Sequence, residues 1–414
     1  MPPIDVSRIP GTAAGPRPTA RDEGTPSARP KAFGPSTTGC ETGGRRQRQS
    51  SLRQAPPTGR LRPTAAPDIA HAGGVGPGPA GHPLERLDLC RIPREGRVSA
   101  ATAALLHGLL AHAGRRPALL TPEGGRIADR LFPQRPVREE ALEWARLLAS
   151  HVRCGGDCLV VEEDAEIRAL IGQASPRARL GTPTGIRVRV EALALHWKGT
   201  RLEVLGLPGT PPRTAHLPIV GGSNLKGLEA ALEVALAAGC PIPRTLGALP
   251  LLEPPQGLLE PVQAGQPFGV FVDRAASPDD LRDLIAEART LGGRRVLLVT
   301  GIRGNTGSAE RAALGDAARG ADEVVFTSDN PGHATVGDIL ADLQRGHGGA
   351  SRGEPDRHLA IRTAVRDARA DDVVLIAGKG GLPFQEVRGS VIPWDDRGHA
   401  REALAARGWV GDSL

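Results

Sequence analysis

Between residues 269 and 406, short apolar runs alternate with longer helix-period stretches, and each run stops abruptly at a polar loop. The runs cover 269–273, 295–300, 323–327 and 373–377. Stretches at 278–291, 310–319, 336–344, 358–368 and 399–406 place apolar residues three and four apart. A run with no polar alternation reads as a strand buried on both faces, and such strands belong to parallel sheets whose crossovers are helices. The pattern predicts a doubly wound α/β domain, with binding loops at the carboxyl ends of its strands.

The chain upstream, from about residue 86, mixes the same elements less regularly. The spacing predicts a helix over 98–110, a strand at 117–120, a helix at 139–151 and a buried strand at 158–162. A hairpin over 186–194 and 201–205 follows, then a helix over 226–238. With no Tyr, six Phe and four Trp, the core of these elements must be aliphatic. A chain of 414 residues allows two or three domains. We expect three parts: a tail over 1–85, a central domain over 86–262 and a C-terminal domain over 263–414.

Residues 1–85 are rich in Pro, Gly, Ser, Thr and Arg and lack periodicity, a composition that predicts disorder. A linker, a mis-called start and an organelle transit peptide are all open readings of it. Residues 1–80 carry eleven basic and five acidic residues, which equals the net charge of +6 of the whole chain. A neutral body behind a basic tail excludes a nucleic-acid-binding fold. With no apolar run of about 18 residues, no membrane span is expected and the protein reads as cytoplasmic. The cysteines Cys40, Cys90, Cys154, Cys158 and Cys240 include one close pair, Cys154 and Cys158, but no second pair at zinc-site spacing. Free thiols are therefore the expectation.

The loops at the strand ends carry the chemistry. They read Asp329-Asn-Pro-Gly332, Gly378-Lys-Gly-Gly-Leu-Pro383 and, at the opening of the C-terminal domain, Val272-Asp-Arg-Ala-Ala-Ser-Pro-Asp279. Their order resembles the C-terminal domain of Mur ligases, in particular the UDP-N-acetylmuramoyl-tripeptide synthetase branch that adds diaminopimelate or lysine. The resemblance implies a reduced Mur ligase-like central α/β domain followed by a Rossmann-like domain. It also implies ATP- and Mg2+-dependent amide-bond formation on a UDP-N-acetylmuramoyl peptide. In a complete ligase of this branch a folded UDP-binding domain would stand where the tail does.

Carried over residue by residue, the resemblance implies a degraded site. The family's phosphate loop, Gly-Thr-Asn-Gly-Lys-Thr, falls on Pro93-Arg-Glu-Gly-Arg-Val98, where Gly96 and the charge of Arg97 remain and Ser99 stands in for the magnesium hydroxyl. Glu162 ends the strand that supplies the family's magnesium carboxylate. The segment bearing the carbamylated Lys is deleted. Asn224 matches the adenine-contacting segment, or caps the helix that follows. Leu258 replaces the Arg of the domain junction. Asp273 and Arg311 remain of the nucleotide-facing loops, although Arg274, Ala276, Asn305, Thr306 and Glu310 have replaced their partners. In the amino-acid pocket Asp329, Asn330, Pro331, Gly378 and Gly380 keep the backbone frame. Gly332 cannot hold a carboxylate as the family's Arg does.

Scaffold positions match while positions that touch nucleotide, metal or substrate have changed. The expectation is a catalytically degenerate pseudo-ligase that acts by binding a cell-wall precursor or a cell-wall enzyme. The alternatives are a drifted but active amide ligase working through Gly96, Arg97, Ser99 and Glu162, and a decayed gene product. ATP and Mg2+ are expected only for the active alternative.

Overall fold

The computed structural model describes residues 83–127, 130–132, 141–172, 178–180 and 186–410. The expected tail falls outside the described residues as far as position 82. The first described element is the 3-10 turn Pro83–Arg86, whose Leu84 is fully buried.

The first sheet runs in the order β4-β3-β2-β5-β1-β6. Its parallel strands are β1 (Asp88–Pro93), β2 (Pro117–Thr121), β5 (Cys158–Glu163) and β6 (Ala178–Leu180). β3 (Gly124–Ile127) and β4 (Arg130–Phe132) extend one edge antiparallel. Helix α1 (Arg97–His112) follows β1, α2 (Ala141–Arg153) precedes β5, and α3 (Ala165–Ile171) follows it. Next comes a three-stranded antiparallel sheet of β7 (Arg189–His196), β8 (Gly199–Leu205) and β9 (Arg213–Leu217), the third strand not being foreseen. Two helices close this part, α4 (Gly222–Ala237) and α5 (Ile242–Ala248).

The first core joins α1, α4 and the small sheet, so α1 is buried on several faces, not one. Leu105, Leu106, Leu109 and Leu110 are all buried, each worth roughly 1.5–3 kcal/mol relative to exposure. The helices approach closely at Gly227. A Cβ there would lie 2.5 Å from the Ala101 Cβ and 2.9 Å from the Thr102 nitrogen. Gly227 therefore fills a packing role at the contact of α1 with α4.

The second sheet has the order β10-β11-β15-β12-β13-β14. β11 (Gly269–Asp273), β12 (Val296–Thr300), β13 (Glu323–Thr327), β14 (Arg352–Glu354) and β15 (Val373–Ala377) are parallel, and the short β10 (Glu260–Pro261) is antiparallel at one edge. Side chains alternate between two cores as the period of a strand requires. Phe271, Leu298 and Leu375 face α6 (Pro278–Thr290), α7 (Ser308–Ala317) and α8 (Val336–His347). Val272, Leu297 and Val374 face α9 (Arg357–Asp367) and α10 (Asp396–Ala405). Helices on both faces make this the doubly wound domain expected. The Ser277 Oγ caps α6 by accepting from the Asp280 nitrogen at 3.2 Å, with Pro278 at the first helical position. A hairpin of β16 (Phe384–Val387) and β17 (Ser390–Pro393) leaves the sheet after β15.

Candidate functional site

The loop after β1 meets the loop after β11, and between them opens a cleft of about 940 Å³. Six of the sequence-chosen residues line it: Gly96, Arg97, Glu162, Asn330, Pro331 and Gly378. Ser99, Asn224, Asp273, Arg311, Asp329 and Gly380 lie outside its lining and hold the frame.

Arg97, the residue in the place of the phosphate-loop Lys, points across the seam. Its Nη1 donates to Asp273 Oδ1 at 2.6 Å and its Nη2 to Asp273 Oδ2 at 2.9 Å, with Glu287 at 3.5 Å. Burial alone would pull the guanidinium down, but the Asp273 carboxylate outweighs it and holds it well above its ordinary value. Asp273 is fully buried and also accepts from the backbone nitrogens of Leu259 and Ala275. The pair is a clamp between the two sheets, and no part of the Asp273 carboxylate is left for a nucleotide.

The same seam absorbs the segment matched to the adenine site. α4 begins at Gly222, four residues earlier than expected, so Asn224 sits in its first turn and does not cap it. Asn224 Nδ2 instead donates to the carbonyls of Val220 and Leu258, while Ser223 donates from its nitrogen to Glu287 Oε1. Leu258 is buried in the first core, away from the cleft.

Glu162 lines the cleft, and Ser99 stands directly behind it. The Ser99 Oγ lies 3.2 Å from Glu162 Oε1, and Glu162 Oε2 has no hydrogen-bond partner among the described residues. Burial pushes the Glu162 carboxyl above its ordinary range, Arg274 and Arg94 draw it down, and Glu123 pushes it up. A hydroxyl beside a buried, unsatisfied carboxylate oxygen fits a hard divalent ion. The phosphate cradle does not fit. Pro93 has no N–H to offer and the Arg97 charge is already neutralised.

The two loops expected to frame an amino-acid pocket are joined by Lys379, a residue that expectation passed over. Its buried ammonium lies 3.0 Å from Asp329 Oδ1 and donates to Asn330 Oδ1 at 2.7 Å and the Phe384 carbonyl at 3.2 Å. Burial draws this ammonium below its ordinary range, against the pull of Asp329. Gly380 has φ +56°, and a Cβ there would come within 2.7 Å of the Arg274 Cβ. Arg311 holds its own loop, donating to the Gly304 carbonyl at 2.8 Å and pairing with Asp342.

Sequence reasoning missed the charged bridge over the cleft. Glu123 pairs with Arg274 at 2.8 Å and with Arg94 at 3.1 Å. Glu123 stands in a Thr-Pro-Glu-Gly turn that reads as an ordinary loop, and its partner Arg274 is 151 positions along the chain. Cys90, Cys154, Cys158 and Cys240 are free thiols, and burial pushes Cys90 up to about 12. Cys40 falls outside the described residues. Among the described residues no helix is long and apolar enough to cross a membrane.

Residues 259–380 match the Mur ligase glutamate ligase domain. Over 195 residues the chain is 39% identical to a UDP-N-acetylmuramoyl-L-alanyl-D-glutamate–2,6-diaminopimelate ligase of Geobacillus kaustophilus, covering 46% of this chain and 40% of the relative. The chain thus spans less than half the length of the curated relatives it matches. A solved structure of a diaminopimelate ligase of the same description superposes with a TM-score of 0.52 at 20% identity, over 78% of this chain and 80% of the other. Mycobacterium tuberculosis folylpolyglutamate synthase complexed with ADP gives 0.52 at 15% identity, over 72% and 88%. At these identities the structures establish a shared fold.

Proposed function

We propose that this chain, which belongs to the Mur ligase family through its C-terminal domain, is a pseudo-ligase that binds a peptidoglycan precursor without joining an amino acid to it. The observation that carries the reading is the Arg97–Asp273 pair. Phosphoryl transfer depends on cations positioned against the phosphates, and here the phosphate-loop cation is neutralised by a carboxylate 2.6 Å away. Loss of the pocket Arg at Gly332 removes the bidentate group that would hold an incoming amino acid. What remains is a cleft with Arg94, Arg274 and Arg303 in its lining; Glu123 pairs with the first two, so the exposed Arg303 is the cation left for an anionic ligand such as the carboxylates of a stem peptide. A cytoplasmic setting follows from the same reading, since the named relatives act on UDP-linked precursors.

Calorimetry on the full chain tests this. Magnesium-ATP is expected to give no saturable heat at millimolar nucleotide. UDP-N-acetylmuramoyl-alanyl-glutamate is expected to bind, and Arg303→Ala to weaken it about tenfold, the loss of one charge-assisted contact. Phosphate release that requires both precursor and an amino acid would sink the proposal.

One observation favours an active, ATP-dependent amide ligase instead. Ser99 and Glu162 keep the hydroxyl and carboxylate of a magnesium site 3.2 Å apart, and the same phosphate-release assay decides it.

A further inference from the structure

Outside the cleft, two histidines from neighbouring helices face each other through the same ring atom. The His358 Nδ1 lies 3.0 Å from the His399 Nδ1. Glu402 Oε2 is 3.3 Å from the His399 Nδ1 and 3.8 Å from the His358 Nδ1. We propose that His358, His399 and Glu402 form a binding site for a borderline transition-metal ion of the zinc type, joining α9 to α10. The site is independent of the cleft and of the reading given for it.

The spacing fits such an ion. Four ligands at about 2.0–2.1 Å from a tetrahedral centre stand about 3.3–3.4 Å apart, and the three observed separations bracket that edge. Two imidazoles with one carboxylate select zinc, cobalt or nickel over magnesium and calcium, which take oxygen donors. Proton accounting points the same way. Two Nδ1 atoms at 3.0 Å cannot both carry a proton, so three lone-pair-bearing atoms share at most one. A divalent ion satisfies all three at once, and the shared Nδ1 proton leaves to solvent as it binds.

The ligands are held in place by buried structure behind them. Arg357, next to His358, is fully buried and donates from Nε and Nη2 to the two Asp396 oxygens at 2.8 and 2.7 Å. The Trp394 Nε1 donates to the same carboxylate at 2.8 Å, and its indole lies against the His399 ring with centroids 4.3 Å apart. Asp356 and Asp395 cap the two helices, and with Glu402 they oppose the positive field that two helix N-termini direct at the ion. The Glu402 side chain is 65% exposed, which leaves a solvent side for the ion to enter and for water to complete the shell. Arg357 also donates to the Ala377 carbonyl at 3.0 Å, immediately before the Gly378–Lys379 loop. An ion at this site would stiffen the helices that support that loop.

The test uses chelator-treated full-length chain, titrated with zinc by calorimetry and with cobalt(II) by visible absorption. One equivalent is expected, with the intense d–d bands of four-coordinate cobalt. His358→Ala and His399→Ala should each lower the affinity at least about a hundredfold, since each removes a direct ligand outright, and Glu402→Gln about tenfold or more, since the amide oxygen that replaces the carboxylate is a weaker, uncharged donor. Glu402 is exposed, so its variant keeps the test valid if a histidine variant misfolds. Absence of one-equivalent uptake, uptake unchanged in Glu402→Gln and both histidine variants, or a sulfur-to-cobalt charge-transfer band placing the ion at a cysteine would each overturn the assignment.

Discussion

Arg97 and Asp273 stand 176 positions apart in the chain, yet their side chains meet in a two-bonded ion pair buried between two sheets. Breaking such a pair from one side leaves an uncompensated buried charge, at about 3–5 kcal/mol. Asp273→Asn and Arg97→Met should each destabilise by about that much in urea denaturation. The double variant Arg97→Met/Asp273→Asn should lose less than the two losses added, because neither partner of the pair is then left as an orphan charge. Single losses below about 1 kcal/mol would mean the seam is held by its apolar contacts alone.

Glu162 gives the protein a pH signature. Its folded-state carboxyl is pushed above its ordinary value, chiefly by burial. The folded state therefore holds the proton more tightly than the unfolded one, and stability falls as pH rises from the ordinary glutamate value through the folded one. Glu162→Gln removes this term. The variant should be the more stable protein at pH 7, with the difference vanishing below pH 4.5, the ordinary value. On the active-ligase alternative, magnesium should also raise the melting temperature of the parent and leave Glu162→Gln unmoved. A difference that stays constant with pH would show that Glu162 ionises freely in the fold.

Gly227 and Gly247 should respond in opposite ways to the same change. In α4 a Cβ at Gly227 would press on Ala101 and on the backbone of α1, and overpacking of that kind costs about 1–3 kcal/mol. At Gly247 in α5 a Cβ meets nothing within 4 Å, so Gly247→Ala should gain up to about 1 kcal/mol of helix propensity. Ala101→Gly should restore part of the Gly227→Ala loss and leave the rest, since the Thr102 nitrogen remains. Equal effects at the two glycines in chemical denaturation would rule out the close approach of α1 and α4.

What was legible in the chain follows from where each signal resides. β11, β12 and β15 are buried at all five positions, so an unbroken apolar run announced each of them. β17 is exposed throughout and β14 nearly so, and nothing in their composition separates them from loops. The start of α4 was read late because Gly-Gly-Ser-Asn has loop composition, and contacts to Glu287 and Leu258 override that preference. Chemistry at the site was harder to read, because a residue type does not disclose its partner. Arg97 reads as a phosphate cation until Asp273 is seen beside it. Lys379 reads as a loop residue until Asp329 and Asn330 close around it.

Asn330 holds that Lys379 contact from a left-handed backbone, φ +44°, which a non-glycine residue adopts at a cost of about 1–2 kcal/mol. Its Oδ1 accepts from Lys379 Nζ at 2.7 Å and from the Glu386 nitrogen at 3.0 Å, so one atom fastens both the pocket loop and the hairpin. Asn330→Gly loses both bonds but relieves the backbone, whereas Asn330→Ala loses both and relieves nothing. Loss of a hydrogen bond to a charged donor costs about 1.5–3 kcal/mol. Asn330→Ala should therefore fall by about 2–4 kcal/mol in thermal or chemical denaturation, and Asn330→Gly by about 1 kcal/mol less. Amide exchange should quicken at Glu386 in both variants, because its N–H loses the Asn330 acceptor while the bonds of the hairpin to Ser328 and Gly332 remain. If the alanine variant proves as stable as the glycine one, the left-handed turn at Asn330 is not held under strain, and the Lys379 contact alone orders the loop.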